Sequence, residues 1–377
     1  MQKQNKKPSA WHPIREQHTV PWVAGLFVVA TAFSWWYCVT YLASSAAVVN
    51  SYFSLAGNSL IMKGEAAMVE TAAVTMERLI DGSIVDADKA GYWPYAVMIE
   101  NLLSVRPQSG LSQASVVYES LVEGGATRFM AVFDPSEIIP EIMPVRSARP
   151  YYLEWSSEYG ALYAHAGGSP KALTVIREND DINDLEALSS DAKYFWRDTS
   201  KSAPHNLVTS SEKMNFALHD KGLIEHAATF DPWRFKDDAE LESRGDGGKT
   251  ASFNFSYGLT YKVDFTYNRE RNEYLRFNAD EPHLDNNTGE QIAVKNVIVQ
   301  LVEEPLLDGG KGRLEIYAGG EGSAWMFRDG LAIPCTWKKG SRTDRTRFYD
   351  QEGNELELNR GAIWVHIVPK DQAVTYE

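Results

Sequence analysis

The chain has 377 residues, with 51 Asp and Glu against 37 Lys and Arg, a net charge of −14. That balance excludes a nonspecific nucleic-acid binder, which needs a basic face, while 44% apolar and 12% aromatic content with 11 Trp excludes a disordered chain. Only two cysteines are present, Cys38 and Cys335 far apart, so a metal site built on cysteine is excluded by count and an internal disulfide is not expected.

From Gln17 to Met62 there is no Asp, Glu, Lys or Arg, and "WVAGLFVVATAFSWWYCVTYLASSAAVV" (22–49) is a continuous, mostly apolar run. A bilayer core takes roughly 20 such residues as a helix. Trp22 at one end, and Tyr52 and Phe53 after the other, suit an interfacial belt. The run is too long for a cleaved signal peptide, and Cys38 follows bulky "SWWY", which is no lipoprotein cleavage site. Lys3, Lys6, Lys7 and Arg15 precede the run against Glu16 alone, so the positive-inside rule puts the N-terminus in the cytoplasm. The reading is a cytoplasmic tail over 1–20, one transmembrane helix over 21–50, and a stalk helix and linker over 51–83, with "SLIMKGEAAMVETAAVTMERLIDG" (59–82) as its helical part.

The next segment, 84–241, mixes strand and helix patterns and reads as an α/β domain. "YAVMIEN" (95–101) is a buried strand, and "SVVYESLVE" (115–123) and "TRFMAVF" (127–133) flank a "GGA" turn as a hairpin. "PYYLEWSSEYG" (150–160) has Pro first and Gly last, the expected asymmetry of a helix. "ALYAHAGG" (161–168) is a strand, "SPKALTVIREN" (169–179) a helix capped by Ser169, and "TSSEKMNFALHDKG" (209–222) a helix with a Thr-x-x-Glu capping box. The charged, Gly-rich 242–252 reads as a linker. Period-two alternation and Gly, Asp-Gly or Glu-Gly turns then predict a β-rich domain over 253–370.

Four stretches carry the residues that could do chemistry. In "MPVRSARP" (143–150) Arg146 and Arg149 flank Ser147 ahead of a helix-starting Pro150, where outward N–H groups favour an anion. Guanidinium matches carboxylate or phosphate in bidentate fashion, so the two arginines bind either an external anion or internal carboxylates such as Glu119 and Glu123. In "HAGGSP" (165–170) His165 ends a strand, and Gly167, Gly168 and Ser169 let a ligand approach the backbone. Glu119 and Glu123 are four apart on one predicted strand, beside Arg128 across the turn. They read as an acid/base pair, as metal ligands, or as neutralising partners for Arg128, Arg146 or Arg149. "SAPHN" (202–206) adds His205 and Asn206. No metal site or cofactor follows from these spacings, and no Gly-x-Ser-x-Gly elbow appears.

Taken together, "VMIENLLSVRPQSGLSQASVVYESLVEGGATRFMAVF", "MPVRSARPYYLEWSSEYGALYAHAGGSP", "FWRDTSKSAPHNL" and the C-terminal "VKNVIVQL", "FRDG" and "GAIWVHIVP" segments resemble the YerB-like family of bacterial lipoproteins over about 92–370. The resemblance implies a two-domain extracytoplasmic module held at the membrane of the cell envelope, with no established activity. The chain departs from it in lacking a lipobox Cys, in Glu100 where Asp is expected, and in Met-Pro before "VRSARP". The reading of function is a membrane-anchored envelope protein that binds an anionic wall polymer or lipid headgroup through Arg128, Arg146, Ser147, Arg149, Gly167, Gly168, Ser169 and Asn206. The alternative is an envelope hydrolase or transferase using Glu119 or Glu123 and His165, with His205 as a further candidate and the arginines as a charge clamp.

Overall fold

The computed structural model describes residues 74–224, 226–256, 258–303 and 312–377. The expected tail (1–20), transmembrane helix (21–50) and most of the stalk lie outside them. Among the described residues no helix is long and apolar enough to cross a membrane. Where the description begins, the expected stalk helix is instead a strand, Thr75–Glu77, paired antiparallel with Ile84–Asp86. Helix propensity over this Ala/Met/Glu stretch is a weak prior. It loses to a turn in which Arg78 grips Asp81 through Nη2 at 2.6 Å. Gly82 takes φ +72° against the ring of Phe235, where a Cβ would come within 2.3 Å.

Among the described residues, thirteen further strands of three or more residues and three α-helices carry the fold. In chain order they are β1 (Tyr95–Glu100), β2 (Val116–Leu121), β3 (Thr127–Phe133), α1 (Pro150–Ser157), β4 (Leu162–His165), α2 (Pro170–Glu178), β5 (Asp184–Glu186) and α3 (Ser211–Asp220). Then come β6 (Thr250–Asn254), β7 (Lys262–Asn268), β8 (Glu273–Asn278), β9 (Asn296–Val302), β10 (Gly320–Arg328), β11 (Leu331–Lys339), β12 (Arg347–Tyr349) and β13 (Ile363–Pro369). Ten of these strands form one mixed sheet in the order β12-β11-β10-β9-β13-β2-β3-β1-β4-β5. β6, β7 and β8 form the centre of a second, antiparallel sheet.

The strand periodicity decides what covers the large sheet. Val97, Ile99, Val117, Phe129 and Ala131 point to one face, where they pack with Phe253, Phe265 and Tyr274 of the second sheet and Met214 of α3. Ala96, Met98, Val116, Met130 and Val132 point to the other, where they meet Tyr152 and Trp155 of α1 and Ala172 of α2. A sheet buried on both faces reads as continuous apolar runs, as β1 and β3 do.

The fold is thus two-domain and largely β-rich, with few helices. The expected α/β region is α/β only locally, where parallel β1, β4 and β5 carry α1 and α2. The two halves also share a sheet. β13, from the C-terminal end, inserts between β9 and β2 and pairs with both in parallel. One cap moved: Thr209 spends its hydroxyl on Tyr194 O at 3.0 Å, and Ser210 caps α3 by accepting from Lys213 N.

Candidate functional site

The "MPVRSARP" segment threads between the diverging ends of β1 and β4. Glu100 N donates to Pro144 O at 3.0 Å, Arg146 N to Met98 O at 2.9 Å, and Ala166 N to Arg146 O at 3.0 Å. Ala148 then bridges Gly168 in parallel. The backbone is therefore consumed by its neighbours on both sides. Val145 and Ala148 are buried, and Arg146, Ser147 and Arg149 emerge at a half-buried surface before α1 begins at Pro150.

Three guanidiniums gather there. Arg149 holds Glu123 in a forked contact, Nε to Oε1 at 2.8 Å and Nη2 to Oε2 at 2.6 Å. Glu123 is not on the strand with Glu119: β2 ends at Leu121, and Glu123 opens a tight turn with Gly124 and Gly125 at φ +73° and +72°. Arg146 Nε lies 3.1 Å from Glu100 Oε1, and Glu100 Oε2 accepts from His205 Nδ1 at 2.6 Å. Arg128 stands in register between Ser120 of β2 and Glu100 of β1, so the three side chains share one face. It is 6% exposed, and its Nη1 donates to Ser147 O at 2.6 Å. Its Nε is buried without an acceptor, and among the described residues no carboxylate pairs with it. Burial, then the charges of Arg149 and Arg146, pull its pKa down to about 10. The hydroxyls of Ser120 and Tyr163 are likewise buried and unpaired. Three arginines share two carboxylates, Glu100 and Glu123, which leaves one positive charge without a partner.

The other sequence-derived residues divide. His165 is fully buried and donates from both nitrogens, Nδ1 to Gly167 O at 2.8 Å and Nε2 to Asp184 Oδ1 at 2.7 Å. Such a ring has no lone pair left to act as a base. Gly167 is required by its φ of +65° and lies against Ser147. Gly168 lies close to the Leu173 side chain, whose tip a Cβ would approach to 3.0 Å. Ser169 caps α2 by accepting from Ala172 N. Asn206 turns into its own loop, donating to Asp198 O and Lys201 O while accepting from Arg197. Glu119 is separate altogether: it points to the opposite face of the sheet and is fully buried.

Glu119 belongs to a polar network that pattern reading missed. Its Oε1 accepts from Thr127 Oγ1 at 2.7 Å and Asn101 Nδ2 at 3.0 Å, and its Oε2 from Arg276 Nη2 of β8 at 2.7 Å. Arg276 also donates to His283, whose Nε2 donates to Gln108 Oε1 at 2.9 Å. The Arg276 guanidinium lies 4.6 Å from the Trp364 ring centroid. Burial alone would raise the Glu119 pKa, but Arg276 and His366 outweigh it and hold the carboxyl at about 2. The one available signal was the alternation Tyr274, Arg276, Asn278, which sets an arginine on the inward face of a strand.

Two family models match the chain: "Protein of unknown function (DUF3048) N-terminal domain" over residues 81–224 and the C-terminal domain of the same description over 252–365. "Putative lipoprotein YerB" of Bacillus subtilis (strain 168) is 30% identical over 280 residues, 73% of this chain and 81% of that protein. The crystal structure of YerB protein from Bacillus subtilis aligns with a TM-score of 0.70 at 27% identity, covering 80% of this chain and 99% of that one.

Proposed function

Because the chain belongs to the DUF3048 family, in line with its resemblance to the YerB-like lipoproteins, we propose that it is an envelope protein that binds a phosphate-bearing ligand at the Arg128–Arg146–Arg149 cluster. The carrying observation is Arg128, a buried guanidinium with no carboxylate against it. A buried charge without a partner is costly. A phosphate reaching the 6% of Arg128 that stays exposed would neutralise that charge, since guanidinium matches phosphate. Arg146 and Arg149, each held by one glutamate, set the electrostatic field around it.

The membrane placement rests on the apolar run 22–49 and on the word "lipoprotein" in the name of the B. subtilis relative. In this reading the run anchors the chain with its N-terminus in the cytoplasm and residues 74–377 outside. The ligand is then a wall polymer phosphodiester or a lipid headgroup. The hydrolase alternative finds no comparable support: Glu119 is buried on the far face, Glu123 is clamped by Arg149, and His165 donates from both nitrogens.

Spheroplasts expressing the full chain provide the test, with a fluorescent glycerol-phosphate oligomer added outside and phosphatidylglycerol vesicles as the competitor. Saturable binding is expected, falling at least tenfold in Arg128→Gln and weakening with salt. Competition by the vesicles would identify the headgroup, and no competition the polymer. Equal binding by wild type and Arg128→Gln would remove the site, and binding only after permeabilisation would reverse the orientation.

A further inference from the structure

A second surface differs in chemistry from the arginine cluster. A cleft of about 340 Å³ lies between α1, α2 and the segment before β10, lined by Pro150, Glu154, Lys171, Tyr317 and Arg342. A second cleft, about 700 Å³, is lined by Glu303, Tyr317, Glu321, Trp337 and Lys370. The two adjoin at Tyr317 and Gly319, which line both.

Tyr317 is 72% exposed, and it makes no ring, ion or hydrogen-bond contact among the described residues. An aromatic ring exposed between two clefts offers a flat apolar face on which a ligand ring can stack. The groove's charges are otherwise settled: Lys171 pairs with Glu315, Lys370 with Glu303, and Lys338 with Glu321. Among its carboxylates only Glu154 has no hydrogen bond or ion pair in the described residues, though Lys339 and Arg342 act on it electrostatically. Glu154 is half-buried, and that burial pushes its pKa upward against Lys339 and Arg342. On the far side Gly319, Gly320 and Gly322 line the second cleft.

We propose that this groove binds a linear carbohydrate, with one sugar ring stacked on Tyr317 and an amine-bearing sugar at the Glu154 carboxylate. A sugar offers what the groove lacks: an apolar ring face for the aromatic, and a periphery of donors for a carboxylate. A phosphate polymer alone does not suit it, because its unpaired group is an anion. The site uses none of the arginines assigned above, so it stands or falls separately from them.

The test uses the full chain in detergent micelles at 0.15 M salt, titrated calorimetrically with the β-1,4-linked glucosamine tetramer and its N-acetylated counterpart. Both are expected to bind, the amine form more tightly. Tyr317→Ala should weaken both at least tenfold, while Tyr317→Phe, which keeps the ring, should stay within about twofold. Glu154→Gln should abolish the preference for the amine form and leave the acetylated tetramer unchanged. Absence of saturable binding, or equal binding by wild type and Tyr317→Ala, would overturn the proposal.

Discussion

A histidine can exchange protons with a ligand only if one ring nitrogen is free, and His165 has neither. Sequence shows the imidazole at a strand end beside two glycines, the setting of many ligand sites. It does not show Asp184, which arrives 19 residues later because β4 and β5 pair in parallel. Burial alone would lower the His165 pKa, but the Asp184 hydrogen bond and the charges of Asp184 and Glu186 outweigh it, and the net shift is upward. A folded-state pKa above the unfolded value of about 6.5 stabilises the fold fully below that value. This contribution is lost as pH rises through the folded pKa. Wild type minus His165→Gln, compared by thermal unfolding across pH 5 to 9, is therefore expected to shrink as pH rises above about 6.5. A difference that stays flat, or grows with pH, would show that the ring is neutral in the fold. The arginines teach the converse. Their clustering was legible from "MPVRSARP" and "GGATRF", and the open choice between internal and external partners resolves residue by residue. Arg149 and Arg146 take glutamates, and Arg128 takes none.

Most strands and helices could be read from the chain because their signals are local. β3 spans Thr127–Phe133 and α1 starts at Pro150, as apolar runs and proline placement predict. What joins the elements is not local, and the network around Glu119 shows why. Glu119 on β2 and Arg276 on β8 are 157 residues apart, and only the packing of one sheet on the other brings them to 2.7 Å. Both are fully buried, among Phe129, Phe265 and Trp364. Breaking such a pair from one side leaves a charge stranded in an apolar layer, which costs about 3–5 kcal/mol. Arg276→Met is expected to lose stability of that order in urea unfolding. Adding Glu119→Gln to it should recover part of the loss, since the second change removes the stranded charge. Additive losses would mean that the two groups do not sense each other.

At the scale of the molecule, composition and the break at 242–252 suggested two domains joined by a linker. The chain does change character there, yet Gly245 is packed so closely on the Asp329-Gly330 turn that a Cβ would sit 2.1 Å from Gly330 O. The large sheet also ignores the boundary. Period-two alternation predicts β13 as a strand but carries no information on its neighbours, and parallel pairing across some 250 residues has no local signature. β13 nonetheless lies at the centre of the sheet: Trp364 sits beside Val117 in register and packs edge-on against Phe129, and His366 reaches Glu119. Without it, β2 becomes an edge strand, hydrophobic on both faces and with its ladder bonds open, the pattern that promotes aggregation. Residues 84–241 expressed alone are therefore expected to give poor chemical-shift dispersion and aggregate. Co-expression with 242–377 should restore a soluble complex with the hydrogen-exchange protection of the intact chain. A separately folded, monomeric 84–241 fragment would show that the shared sheet is dispensable, and that the N-terminal half holds its arginine cluster by itself.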